Sequence, residues 1–415
     1  MYKISKSVII KKGYEVVNLK NRLLDGEVEI TEPYIQELEK IIETGTETIQ
    51  SDLEKFLFEH KYLVEDRIAE TEIQQLLVMM KETLIIGILP TMSCNFRCTY
   101  CYECHTSEHM TEMTLENIKY FLKREITTKN IRYVQVNWFG GEPTLCVEQI
   151  CDFNRYVISL QEQYKFSFIS GITTNGYLLD KEMFAKFYRL GIENYQITLD
   201  GWQHDTFRKH VTGKKTRDKI VNNLKEISSL PEEYEFVVRL RYNISENNQD
   251  MSWYDYIKEV FGADNRFTMY INFVKDWGGE SAKNMELCTN QEMNDLEEKH
   301  VSYMEKIGLR NDNTREEILI PLKNVCYAAY PNSYTFTPDN RVIKCTVALD
   351  DSENQIGRVD DVLGVIVDKE KEEKWTETTL EYCGDCEYIL SCLHRACPRQ
   401  VVIDHQPVER CVLHH

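Results

Sequence analysis

Between Thr83 and about Gly308 the sequence predicts an α/β fold, six strand–helix units curled into part of a barrel. Three observations predict it. Short apolar runs alternate with longer stretches whose apolar residues fall at helical spacing. A helical stretch between every two strands makes the strands parallel, with the helices outside the sheet. Compact segments, "GGEP", "TNG" and "LDG", close successive strands, and barrels of this kind carry their chemistry at those strand ends.

The strands run "TLIIGILPT", "YVQVNWFGG", "FISGITTNG", "YQITLDG", "FVVRLRYNIS" and "FTMYINFV". Their helices are "TLENIKYFLKREI", "VEQICDFNRYVISLQEQY", "KEMFAKFYRLG", "RDKIVNNLKEISSL", "MSWYDYIKEVFG" and "NQEMNDLEEKHVSYMEKIG". The barrel domain is placed at 81–315. Residues 1–80 are expected to form a separate module. "YKISKSVII", "YEVVNL" and "EVEIT" are its strands, and "PYIQELEKIIE" and "TETIQSDLEKFLFEHKYLV" carry helical patterns. Strands followed by two short helices suit a winged-helix-like unit, and Glu65 to Lys81 reads as a linking helix. Residues 316–415 are expected to be a third, cysteine-rich domain. There "SYTFTPDNRVIKCTVA" reads as a hairpin turning near Asp339-Asn340, and the rest is short and loop-like.

A net charge of −19 leaves no basic field for nucleic acid or an anionic membrane. The apolar run "LIIGIL" is far short of a membrane span, and "MYKISKSVIIKKGYEVV" lacks a signal-peptide core. The expectation is a cytoplasmic protein without nucleic-acid or membrane partners. Its fourteen cysteines are many for a reducing compartment, where clustered thiols favour metal. Cys94, Cys98 and Cys101 are spaced C-x3-C-x2-C directly after the first strand. Seven more lie between Cys326 and Cys411. Cys104, Cys146, Cys151 and Cys288 remain, and core thiols are the default for them.

Three thiols in one loop can hold three irons of a [4Fe–4S] cube and leave the fourth open to a substrate or cofactor. Tetrahedral zinc is the alternative, with Cys104 or His105 as its fourth ligand. With Tyr100 between the last two cysteines, C-x3-C-x-aromatic-C resembles the signature of the radical SAM superfamily. The resemblance implies that S-adenosylmethionine (SAM) chelates the open iron and is split to a 5′-deoxyadenosyl radical that abstracts hydrogen. It also implies a TIM-like partial barrel and roles for particular residues. Gly140-Gly141-Glu142-Pro143 resembles the segment that meets the SAM ammonium. Tyr100 would lie against the adenine. Thr198 resembles the hydroxyl residue near the ribose, and Arg208 the arginine that pairs with the SAM carboxylate.

The second cysteine set exceeds what one tetrahedral metal needs. Two zinc sites completed by His394 or His405 are open, as are two four-iron clusters one ligand short. The order resembles the SPASM extension of radical SAM enzymes, which implies two auxiliary clusters and three [4Fe–4S] clusters in all. By that pattern Cys326, Cys345 and Cys397 hold one, and Cys383, Cys386, Cys392 and Cys411 the other. The first would lack a ligand, and its open iron would take a peptide thiolate, a water or another side chain.

Residues 1–80 resemble the element with which enzymes that modify ribosomally made peptides clamp a leader as an added strand. A generic cap on the barrel and a nucleic-acid-binding winged helix are the alternatives, the latter disfavoured by charge. The resemblance as a whole implies a peptide maturase. Its product would be a crosslink, thioether first and carbon–carbon next, in a precursor peptide, with a flavodoxin or ferredoxin as electron donor. Two alternatives stand beside it. One is an anaerobic sulfatase-maturing enzyme, which looks to have Asp where this chain has Thr346. The other is a peptide-binding iron–sulfur protein without turnover.

Overall fold

The computed structural model describes residues 1–5, 8–13, 16–21, 26–65, 68–277, 287–377, 386, 388–395 and 397–405. Two compact units emerge. Met1–Met80, Thr314–Cys326 and Thr379–Ala396 make up the first; Lys81–Asn313, Tyr327–Thr378 and Cys397–His415 make up the second.

In the first unit, β1 (Tyr2–Ile4) pairs antiparallel with β5 (Leu63–Glu65). Strands β2 (Val8–Lys12), β3 (Val16–Asn21) and β4 (Gly26–Thr31) form an antiparallel meander. Strand alternation turns Val17 and Leu19 of β3 to one face, where they are buried with Ile30. Helices α1 (Ile35–Thr44) and α2 (Asp52–Glu59) cover that face with Leu38, Ile41, Leu53 and Leu57, pairs three or four residues apart. Helix α2 starts where Ser51 and Glu54 form a reciprocal capping box. Helix α3 spans Ile68–Lys81.

The second unit holds a ten-stranded sheet among the described residues. Six strands follow chain order in it and are parallel throughout: β6 (Thr83–Ile88), β8 (Tyr133–Trp138), β9 (Ser167–Thr174), β10 (Ile192–Thr198), β12 (Val237–Ile244) and β13 (Phe267–Phe273). Two three-residue strands, β7 (Phe96–Cys98) and β11 (Arg208–His210), pair with each other outside it. The helices α4 (Glu112–Thr128), α5 (Val147–Tyr164), α6 (Lys181–Tyr188), α8 (Arg217–Ser228), α9 (Ser252–Phe261) and α10 (Asn290–Lys306) each follow one of those strands; α7 (His204–Phe207) is a single turn. This is the alternation read from the sequence. Strand β6 is buried from Leu84 to Ile88, which explains its uninterrupted apolar run. Helix α5 buries Ile150, Phe153, Val157 and Leu160. Its Asn154 is fully buried but satisfied, accepting from Trp138 Nε1 at 3.0 Å and donating to Ser170 Oγ at 3.1 Å.

The chain then returns to the sheet. The expected hairpin is β14 (Asn332–Phe336) with β15 (Arg341–Ile343), and Asn340 takes the positive φ of its turn. Strand β14 also pairs parallel with β6, on the side away from β8. Strands β16 (Gln355–Asp360) and β17 (Gly364–Val367) extend the sheet antiparallel, and a further helix, Lys369–Thr376, follows. The sequence reading had called much of this stretch loop-like. Gly357 reads as a breaker, yet in β16 it is required: a Cβ there would lie 2.2 Å from the Ile366 carbonyl oxygen. No described helix is long and apolar enough to cross a membrane.

Candidate active site

The cysteine loop leaves the C-terminal end of β6 and is tied down on three sides. Glu108 accepts from Met92 N at 3.1 Å and from Thr91 Oγ1 at 2.8 Å. The end of β8 bonds it through Gly141 N to Thr91 O at 3.1 Å and Glu142 N to Ser93 O at 2.9 Å. The β7–β11 ladder places Arg208 opposite Cys98, flanked by Thr99 N to Phe207 O and Val211 N to Asn95 O, both 2.9 Å. Asn175, at the end of β9, reaches the same loop by donating Nδ2–H to Asn95 Oδ1 at 2.7 Å.

A cavity of about 260 Å³ opens there, lined by Cys94, Cys98, Cys101, Tyr100, Gly140, Gly141, Glu142, Thr198 and Arg208. All nine barrel residues singled out from the sequence thus meet at one rim. Burial holds the thiols protonated: Cys94 is pushed up to about 12, with the nearby Glu142 adding to the effect, and Cys98 and Cys101 are raised as well. Metal charge is what turns thiols so placed into thiolates. The donor set suits a cube, which spreads three thiols over three irons.

The glycines of "GGEP" have a structural reason. A Cβ on Gly141 would lie 2.3 Å from Ser93 O and 2.6 Å from Met92 O, so the backbones of β8 and the cysteine loop touch. Glu142 is enclosed. Its Oε1 accepts from Thr144 N at 3.1 Å and from the Thr144 and Thr174 hydroxyls, both at 2.5 Å; its Oε2 accepts from Asn175 N at 2.7 Å. Burial pushes this carboxyl up, and those four bonds oppose the shift. The carboxylate pins the ends of β8 and β9 together.

Around Tyr100 lies a polar network that sequence reasoning had not assembled. Its hydroxyl donates to Asp200 Oδ2 and accepts from Arg208 Nη1 at 2.9 Å and Asn243 Nδ2 at 3.0 Å. Asp200 Oδ1 accepts from Asn243 N at 3.0 Å. Burial raises Asp200, while the Arg208 charge pulls it down. Asp200 stood in the quoted "LDG" and Asn243 at a strand end, so a signal for both was present. Glu103 also lines the cavity, its Oε2 buried without a partner and its carboxyl raised to about 7 by burial and by Glu142. Nothing in the sequence pointed to it.

A second cavity, about 550 Å³, lies within the sheet's curve and shares Tyr102, Phe139, Thr173, Gln196, Arg241 and Val347 with the first.

Of the later cysteines, Cys383 and Cys411 lie outside the described residues. Cys326, Cys386 and Cys392 belong to the first unit, and Cys345 and Cys397 to the second. Burial raises the Cys345 thiol to about 11, with a smaller contribution from the Cys397 thiol. No disulfide links any of the twelve described cysteines. The Cys345 loop is clamped by Asn354, fully buried. Its Oδ1 accepts from Lys344 N and Cys345 N at 3.2 and 2.8 Å, and its Nδ2 donates to Cys345 O and Ala348 O at 2.8 and 2.7 Å. Asn354→Leu should therefore lower unfolding stability by about 2–4 kcal/mol, because Cys345 N and Cys345 O lose their partner, while Lys344 N keeps the Asn354 backbone carbonyl and Ala348 O keeps Asp351 N. Denaturant unfolding of the iron-free protein would measure it, and a change below the scatter would contradict the clamp.

Residues 88–240 match the radical SAM superfamily. A cysteine-type anaerobic sulfatase-maturating enzyme of Clostridium novyi is 28% identical over 200 residues, covering 46% of this chain and 51% of that protein. A GTP 3′,8-cyclase of Aliarcobacter butzleri is 31% identical over 145 residues, covering 34% of this chain and 41% of that protein. The chain spans about half the length, or less, of the curated relatives it matches. Among solved structures, anSMEcpe with bound AdoMet and Kp18Cys peptide superposes with a TM-score of 0.55 at 17% identity, over 75% of this chain and 88% of that one. Streptococcus suis SuiB bound to precursor peptide SuiA gives 0.52 at 14% identity, over 97% of both chains. Likeness at that identity shows a shared fold.

Proposed function

We propose that this chain, a radical SAM enzyme, modifies a ribosomally made precursor peptide, installing a thioether crosslink or, second, a carbon–carbon crosslink. The observation that carries the proposal is the meeting of three cysteines with Glu142, Thr198 and Arg208 around one cavity, which shares six lining residues with a larger one. When bound, the [4Fe–4S] cluster and SAM supply a 5′-deoxyadenosyl radical able to abstract hydrogen. Cys94, Cys98 and Cys101 would hold the cluster. Arg208 would meet the SAM carboxylate, Thr198 the ribose and Tyr100 the adenine, with Arg208 and Tyr100 steadied by the network around Asp200. Glu142 fixes the rim, and Glu103 stands beside it as a second carboxylate for the ammonium. As the SPASM resemblance implies, Cys326, Cys345 and Cys397 would serve one auxiliary cluster, and Cys383, Cys386, Cys392 and Cys411 another. Residues 1–80 would bind the leader along a strand edge of their small sheet. Peptide-bound neighbours of the same fold support a peptide substrate.

Oxidation of a peptide cysteine or serine to formylglycine is the second reading, favoured by the Clostridium novyi resemblance. Against it stands Thr346, in place of the Asp expected there. Thr346 lines the larger cavity and bonds the Tyr327 hydroxyl at 2.8 Å.

The test is a search of the neighbouring genes for a short Cys-containing precursor, then anaerobic incubation of that peptide with the reconstituted protein, dithionite and SAM. A peptide lighter by two hydrogens, with 5′-deoxyadenosine formed alongside, is expected. A new aldehyde would support the formylglycine reading. An unchanged peptide with abundant 5′-deoxyadenosine would remove the substrate assignment, and no 5′-deoxyadenosine would remove the chemistry.

A further inference from the structure

Strand β12 sends Arg239, Arg241 and Asn243 to one face, two residues apart along the strand. The two arginines line the larger cavity, and their charges are balanced differently. Arg239 Nε donates to Asp312 Oδ2 at 2.7 Å, a pair that offsets its charge. Arg241 Nε donates to Asn243 Oδ1 at 2.8 Å, a neutral partner. No Asp or Glu is among the described residues lining this cavity. Its polar wall is otherwise neutral, with Gln135, Asn137, Gln196 and Thr346. Among the described residues Arg241 therefore makes no ion pair, in a protein whose net charge is −19. Enclosing a charge without a counter-charge is costly, and a planar guanidinium is shaped to take a carboxylate through two parallel hydrogen bonds.

Arg241 also lines the smaller, cysteine-lined cavity, where the carboxylates are Glu103 and Glu142. Like charge on that side disfavours an entering carboxylate there, and Arg241 favours it on the other. A carboxylate held by Arg241 would stand at the boundary, with the carbon atoms attached to it next to the cysteine rim.

We propose that Arg241 is the specificity-determining contact for a substrate carboxylate, carried by an acidic side chain or by a peptide C-terminus. Its place in catalysis rests on the peptide-modifying activity proposed above. The binding itself does not, and can be measured without turnover.

Calorimetry on the reconstituted full-length protein would compare N-acetylglutamate α-amide with the isosteric N-acetylglutamine α-amide. N-acetylalanine and its amide form a second pair, which separates a side-chain carboxylate from a terminal one. In at least one pair the acid should bind about tenfold tighter than its amide. Arg241→Gln should erase that preference, Arg241→Lys should keep part of it, and Arg239→Gln should leave it. Equal affinities in both pairs, no binding by any probe, or a preference that survives in Arg241→Gln would each overturn the assignment. So would an Arg241→Gln protein that loses affinity for SAM yet keeps the carboxylate preference. Should Arg241→Gln fail to fold, the Lys variant carries the test, and an undiminished preference there counts against bidentate recognition. Failure to form 5′-deoxyadenosine would undo the enzymatic reading and leave these affinities standing.

Discussion

Cys98→Ala should reduce 5′-deoxyadenosine formation by at least about a thousandfold, because one iron of the proposed three-cysteine cube would lose its protein ligand. Cys98 is the central thiol of the triplet and the only one placed directly across a strand ladder from Arg208. Alanine keeps that ladder, since its bonds are made by backbone, so the variant isolates the ligand from the fold. Iron content and the visible absorbance of the reconstituted protein should fall with activity. Cys146→Ala is the control. Cys146 is buried beside His109, with Sγ 3.7 Å from Nδ1, and makes no contact that the proposed chemistry uses. Turnover that survives in Cys98→Ala while Cys146→Ala loses it would place the cluster elsewhere.

Gly141→Ala should be nearly as damaging, by another route. The added methyl would meet two backbone oxygens, those of Ser93 and Met92, and neither can swing aside as a side-chain tip can. Either β8 or the segment entering Cys94 has to move. Overpacking of this sort costs about 1–3 kcal/mol. Because the displaced segment carries the first cysteine, SAM cleavage should also fall about a hundredfold, the penalty of a misplacement near 1 Å. Gly357→Ala gives the contrast. Its Cβ meets backbone as closely, 2.2 Å from Ile366 O, but between β16 and β17. It should lose comparable stability while SAM cleavage per folded molecule is kept. Thermal unfolding and 5′-deoxyadenosine yield on both variants separate the two effects, and equal losses of activity would refute a special role for the β8 contact.

Much of the second unit could be read from its residues, because parallel strands and their covering helices write different periods into the chain. "VEQICDFNRYVISLQEQY" coincides with α5 from end to end. Hairpin chemistry at Asp339-Asn340 was equally local. What escaped was pairing at a distance. Nothing in "NSYTF" says that it lies parallel to "TLIIG", more than two hundred residues earlier, and both faces of β14 are buried, which removes the alternation that marks a half-exposed strand. At the rim, the motif residues were legible singly and their bonds to one another were not. Glu142 read as a cofactor contact, yet its oxygens are engaged by Thr144, Thr174 and Asn175. Nothing in "FVVRLRYNIS" distinguishes Arg241 from Arg239; the difference between them is Asp312, which pairs with Arg239 from seventy-three residues away.

The ladder between Phe96–Cys98 and Arg208–His210 has a mechanical consequence. The proposed metal ligand Cys98 and the guanidinium proposed for the cofactor's carboxylate, Arg208, are paired across one short ribbon. Iron seated on one side of that pair would stiffen the other, so metal loading and the readiness to receive SAM would arrive as a single event. Stripping the metal would slacken the seat as well as empty it.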